Sequence, residues 1–247
     1  MKLLQGDCLD LLPTIPDGSI DMILTSPPYA IGKDYDETIS LERFIAEYSN
    51  KIKDNGVFAF QTGNRVSDGF IEPIDLITYP IFKGLGYRLI NRVIWTFGHG
   101  AHCRNRLSGR HEVISIYAKS KSHTFNLDSI RVPQKHPNKK HFKGKKKGQL
   151  SCNPLGKNPS DVWAITNVKN NHPEKTSHPC QFPEELCRRL INAFSNKGDV
   201  VLDPFMGSGT TGKVAKELNR QFIGIEKDPE YFKIAQERIF GQEEVVI

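Results

Sequence analysis

Cysteine is scarce in this 247-residue chain and poorly placed for cross-linking. Cys8, Cys103, Cys152, Cys180 and Cys187 are scattered, and no two form a Cys-x-x-Cys pair. An odd, dispersed set argues against a disulfide framework or a four-cysteine zinc site, and it suits a reducing cytoplasm. Long apolar runs are missing as well, since no stretch approaches the ~20 residues that span a bilayer. The opening MKLLQGDCLDLL has neither an apolar signal core nor a small-residue cleavage site. Acidic residues are absent from positions 129–160, which carry nine Lys/Arg. Removing those nine charges from the net +6 leaves −3 for the remainder. A mildly acidic body with one basic segment points to a polyanion as partner. A solvated lysine-rich loop would account for the same charge.

What is present is the composition of a globular protein, 38% hydrophobic and 25% charged. Short apolar runs at 20–26, 56–62, 89–97, 112–120, 199–205 and 221–226 read as strands, with another near the N-terminus in LLQG. Helical spacing appears at 41–52, 182–195, 210–220 and 228–239, and weakly at 71–85, where Pro80 interrupts it. Asp228 followed by Pro229 has the form of a helix start. Strands alternating with helices predict a doubly wound parallel sheet. Residues 121–177 show no periodicity.

Two stretches carry chemistry. The first is Asp203-Pro204-Phe205-Met206-Gly207-Ser208-Gly209-Thr210-Thr211-Gly212, a glycine turn between a strand and a helix. Gly207, Gly209 and Gly212 fit G-x-G-x-x-G, which brings backbone close to a nucleoside ligand. Glu226 closes the following strand, where a carboxylate would take ribose hydroxyls. Gly207 to Lys213 also fits a P-loop up to its last position. Val214 stands there in place of the Mg²⁺-binding Ser/Thr. Asp203 beside the turn suits a cationic ligand better than phosphates. Glycines that merely permit close strand–helix packing remain an alternative.

The second stretch is Ser26-Pro27-Pro28-Tyr29, just past an apolar strand. Two prolines stiffen a loop that can hold a planar base. Tyr29 would stack on it, while the Ser26 hydroxyl and the Pro27 carbonyl would accept hydrogen bonds from an exocyclic amine. A plain Pro-Pro turn is the bland reading.

Together these residues resemble the amino-methyltransferases of DNA. The glycine turn resembles their S-adenosylmethionine motif, and Ser26–Tyr29 resembles their catalytic tetrapeptide. His178-Pro179-Cys180-Gln181-Phe182-Pro183 is similar to their H-P-x-Q-x-P segment beside the cofactor. Gly6-Asp7 resembles a further cofactor-side motif, and Tyr231 and Arg238 fit the closing helix. The catalytic motif precedes the cofactor motif, the circularly permuted order of the β class.

The resemblance implies a Rossmann-like methyltransferase sheet in an α/β fold, S-adenosyl-L-methionine as cofactor and double-stranded DNA as substrate. It also leaves room for a separate cognate restriction endonuclease. It implies a catalytic half at 1–120, a basic target-recognition insert at 121–177 and a cofactor half at 178–247. The implied catalytic residues are Ser26, Pro27, Pro28 and Tyr29. Those toward the cofactor are Asp7, His178, Gln181, Asp203, Pro204, Phe205, Gly207, Ser208, Gly209, Thr210 and Glu226. Arg104, Arg106, Arg110, Lys139, Lys140, Lys143, Lys145, Lys146 and Lys147 are expected on DNA.

Serine at the head of the tetrapeptide leans the substrate toward N4 of cytosine, with N6 of adenine as the alternative. A nucleic-acid-binding module without catalysis, a P-loop-like ATPase and an RNA substrate stay open. Pro179-Cys180-Gln181 also resembles the nucleophile motif of cytosine C5-methyltransferases, but it lies on the wrong side of the glycine turn for that family. No metal is expected, because His99, His102 and Cys103 lack a completing ligand pair.

Overall fold

The computed structural model describes residues 1–28, 39–98, 100 and 102–241. Tyr29 and His99 of the expected or weighed site residues lie outside them. In chain order the elements are β1 (Lys2–Gln5), α1 (Cys8–Leu11), β2 (Ile20–Thr25), α2 (Leu41–Tyr48), β3 (Ile52–Thr62), β4 (Asn64–Ser67), β5 (Phe70–Pro73), α3 (Ile74–Gly84), β6 (Arg88–Thr96) and β7 (His111–Ala118). They continue with β8 (Val162–Ala164), α4 (Glu184–Phe194), β9 (Val200–Asp203), α5 (Thr210–Glu217), β10 (Gln221–Glu226) and α6 (Pro229–Phe240).

Eight strands form one sheet in the order β1-β10-β9-β2-β3-β7-β6-β8, and β4 pairs β5 in a small separate ribbon. All neighbours in the large sheet are parallel except at β7, which runs against both β3 and β6. The fold is therefore α/β with a mostly parallel sheet. This is the expected doubly wound sheet, with β7 as its antiparallel member. Among the described residues the link from β6 to β7 has no helix to carry a crossover, and the strands return antiparallel.

Alternation along the strands builds two cores. Met22, Leu24, Val57, Ala59 and Val201 face one side, packed under Leu186, Leu190 and Ile191 of α4, Val214 of α5 and Ile239 of α6. Ile23, Phe58, Phe60 and Leu202 face the other side, with Phe44, Ile45 and Tyr48 of α2 and Phe82 of α3. Period-2 strands between two helical layers make a three-layer sandwich. Helix α4 takes its form from buried Leu186, Cys187, Leu190, Ile191 and Phe194, a stripe at helical spacing, with Glu184 and Glu185 at its positive end. Helix α6 opens on Asp228, whose carboxylate accepts from the amides of Glu230 and Tyr231.

The aperiodic segment after β7 is anchored at several points. A 3₁₀ turn at Leu127–Ile130 lies against α4, where the Asn126 amide donates to the Ala193 carbonyl at 2.7 Å. Val132 then bridges Lys157, and Lys140 bridges Leu150. The segment ends in β8, which adds to the sheet beside β6.

Candidate active site

The chain order reverses between β9 and β2 in the middle of the sheet, and the loops leaving their carboxyl ends flank the crevice where such sheets hold their ligands. Ser26–Pro28 leaves β2 on one side of that crevice, and the glycine turn leaves β9 on the other. Asp203 ties the two together. Its carboxylate accepts from the Thr25 hydroxyl at 2.9 Å and from the Thr211 hydroxyl at 2.7 Å, while the Phe205 amide donates to it at 3.2 Å. It is 3% exposed, and burial pushes its pKa up to about 6 despite those hydrogen bonds. Both oxygens are thus engaged inside the protein.

The glycines differ in what they do. Gly207 and Gly209 have φ of +49° and +77°, which favours glycine. A Cβ on Gly207 would lie 2.9 Å from the His178 ring. Gly212 is a packing position, because a Cβ there would meet Phe222 and Ile239 at 2.5 Å. The Gly207 amide donates to Glu226 at 2.8 Å, and the Asp228 amide donates to the other oxygen of the same carboxylate. Burial raises the Glu226 pKa. Gly6 donates to the Glu226 carbonyl at 2.9 Å, so β1 carries Asp7 to this end of the crevice. Asp7 caps α1 through the Leu9 amide.

Ser208 and Thr210 are buried, and the Arg238 guanidinium donates to both hydroxyls. Arg238 also meets Glu184, which Lys213 joins at 2.6 Å. Pro204 is buried, and the Phe205 ring sits 5.1 Å from that of Phe44. The His178 ring packs edge-on to Tyr231 at 4.4 Å. The Gln181 amide is used within its own segment, accepting from Thr176 and donating to the Glu174 carbonyl at 2.6 Å.

At Ser26 the structure shows a hydrogen-bonded chain that the sequence did not reveal. The Ser26 hydroxyl donates to the Gln61 amide oxygen, and the Gln61 amide nitrogen donates to Glu112 at 2.6 Å. Glu112 can only accept, so the Gln61 NH₂ must face it and the Gln61 oxygen must face Ser26. The Ser26 hydrogen is thereby committed, and its lone pairs are left for another donor. Thr25, Thr211, Gln61, Glu112 and Glu184 were absent from the expected set. The available signal was polarity at strand ends, since Gln61 and Thr62 close an otherwise apolar strand.

The expected DNA residues fall in two places. Arg104, Arg106 and Arg110 lie on the β6–β7 loop, at the end of the sheet that also carries Ser26. The six lysines from Lys139 to Lys147 are all exposed, four of them on the arm beyond the Lys140–Leu150 bridge and Lys139 and Lys140 at its root.

Residues 20–237 match the family of DNA methylases that act on N6 and N4 amino groups. The chain belongs to that family. A Type II methyltransferase of Bacillus subtilis, M.BglII, is 45% identical over 249 residues, covering 98% of this chain and 69% of its own length. The E. coli (strain K12) DNA adenine methyltransferase YhdJ is 34% identical, covering 96% of this chain and 82% of its own. The M1.HpyAVI–SAM complex is similar at 27% identity and a TM-score of 0.66, over 97% of this chain and 98% of that one. The cytosine-N4-specific PvuII methyltransferase shares the fold, with a TM-score of 0.74 at 21% identity, over 99% of this chain and 87% of its own.

This methylase uses S-adenosylmethionine, and its crevice fits that cofactor. The glycine turn offers approach without a Cβ and has the Glu226 carboxylate beside it, while Asp203, expected to face a cationic ligand, is turned inward with both oxygens taken by Thr25, Thr211 and the Phe205 amide. The P-loop alternative fails on the same turn. Val214, at the Mg²⁺ position, is fully buried in the core, and Lys213 is paired with Glu184.

Proposed function

We propose that the protein is a site-specific methyltransferase acting on the exocyclic amino nitrogen of a base flipped from duplex DNA, N4 of cytosine in preference to N6 of adenine. Ser26, with its hydroxyl committed to Gln61, carries this reading. Its free lone pairs and the Pro27 carbonyl are two acceptors for the two amine N–H bonds. Drawing both N–H bonds out of the ring plane gives the nitrogen a more available lone pair. Tyr29 is assigned to stacking on the base, and Pro28 to stiffening the loop. When bound, S-adenosylmethionine supplies an electrophilic methyl group. Glu226 and Asp7 are assigned to its nucleoside part, and His178, Phe205, Gly207 and Gly209 to the wall around it. Asp203, Ser208, Thr210 and Gln181 are assigned to bracing that wall from inside.

A stacked base cannot reach the crevice, so flipping is required. The arginines and lysines named above hold phosphates. Relatives named as Type II methyltransferases suggest a cognate restriction endonuclease, and chromosomal DNA as substrate places the enzyme in the cytoplasm. The adenine alternative is favoured by YhdJ, whose name states that base.

The test is to methylate plasmid DNA with labelled S-adenosylmethionine, digest it to nucleosides and separate them by mass spectrometry. N4-methylcytosine is expected, and Ser26→Ala should remove it with cofactor binding retained. N6-methyladenine would overturn the base assignment while leaving the amino-methyltransferase. No methylated base at all would overturn the reading.

A further inference from the structure

Among the described residues the two most exposed large apolar side chains are Leu107, at 92%, and Phe142, at 90%. A lone exposed leucine is ordinary on a protein surface. Three observations set Leu107 apart. Its loop returns from β6 to β7 at the edge that carries Ser26. The loop's root is closed by the Phe97 amide donating to the Arg110 carbonyl at 3.0 Å. Glu112, two residues past that root, is joined through Gln61 to Ser26. The tip is also shaped, because the Cys103 amide donates to the Ser108 hydroxyl at 3.0 Å. Finally, the side chain has cations on both sides, Arg104 and Arg106 before it and Arg110 after it, and no carboxylate occurs between positions 98 and 111.

We infer that Leu107 is the wedge that enters the base stack and fills the space left by the flipped target base. A leucine cannot hydrogen-bond phosphate, so its place between three arginines has no electrostatic use. An apolar side chain pushed between base pairs compensates lost stacking and keeps the flipped base from returning. The arginines bring the loop to the duplex, and the loop's root ties it through Glu112 and Gln61 to the Ser26 loop. The route from Phe142 is different. Its hairpin is rooted in the Lys140–Leu150 and Val132–Lys157 bridges, neither of which includes a member of the Ser26–Gln61–Glu112 chain.

This inference rests on the DNA methyltransferase reading, and the experiment separates the two. The methylated sequence is first mapped on genomic DNA with the wild-type enzyme. Single-turnover methylation is then measured on a matched duplex and on the same duplex with the target base mispaired, which makes flipping cheap. Leu107→Ala should slow the matched duplex by about 10- to 100-fold and the mispaired one far less. Leu107→Met should restore the matched rate, and S-adenosylmethionine affinity should be unchanged in both variants. Equal slowing of both duplexes would overturn the wedge. So would no slowing of either, or the mispair rescue appearing with Phe142→Ala instead. A wild-type protein that methylates no DNA would overturn the methyltransferase reading and the wedge with it.

Discussion

Asp203 is a buried carboxylate whose first effect is on stability. Its pKa is raised from an ordinary 3.8 to about 6, mainly by burial. A raised pKa means that the folded protein holds the proton more tightly than the unfolded chain does. Stability from this group is therefore complete below pH ~4 and falls as pH rises to ~6, by about 3 kcal/mol. In return the carboxylate accepts from the Thr25 and Thr211 hydroxyls and so joins β2 to the glycine turn. Asp203→Asn should flatten this part of the pH dependence, which urea midpoints between pH 4 and 7 would measure. A variant curve running parallel to the wild type would sink the assignment. Gln61 acts on activity instead. Gln61→Leu leaves the Ser26 hydroxyl without its acceptor, so kcat should fall about 10- to 100-fold while cofactor affinity holds. An unchanged kcat would show that the hydroxyl's orientation is irrelevant. None of these partnerships was legible in the sequence, because Thr25 and Asp203 are 178 positions apart. The glycine turn and Ser26–Tyr29 were legible because each is a local backbone device.

Elements were readable where their own pattern decides them. β2, β9 and β10 are apolar runs between turns, and β10 spans Gln221–Glu226 as expected. α4 and α6 announce themselves by stripe and cap. Reading failed where pairing partners decide. β8 is three residues long and exists because Trp95 and Trp163 align across it, with the Trp95 indole donating to the Ile165 carbonyl at 2.8 Å. The buried Trp163 was its one local sign. The β4–β5 ribbon lacks alternation, and its Arg65–Glu72 pair is a product of the fold. Helical spacing to residue 52 overran α2, which stops at Tyr48. Ile52 instead starts β3 by pairing with Ile20. Pro80 sits inside α3, where the lost donor and the crowded carbonyl four residues earlier are outweighed by Ile74, Thr78 and Phe82 buried in the core.

At the scale of the molecule, charge is separated in sequence and in space. The sheet, both crevice loops and the arginine loop belong to a body of net −3 outside residues 129–160, while the arm from Val132 to Lys157 projects exposed lysines. Among the described residues none of Lys145, Lys146 and Lys147 pairs with a carboxylate, so their charge is available to phosphates. Each phosphate contact releases condensed counterions, and binding then weakens with salt in proportion to the number of contacts. Replacing Lys145, Lys146 and Lys147 by alanine should lower DNA affinity at all sequences and reduce the slope of log K against log salt by about 2–3. Cofactor affinity should hold, because the glycine turn, Glu226 and Asp7 sit in the body and share no element with the arm. Fluorescence anisotropy over a salt series measures both slopes. An unchanged slope would reduce the arm to a solvated loop and leave Arg104, Arg106 and Arg110 as the only cations proposed to carry the duplex.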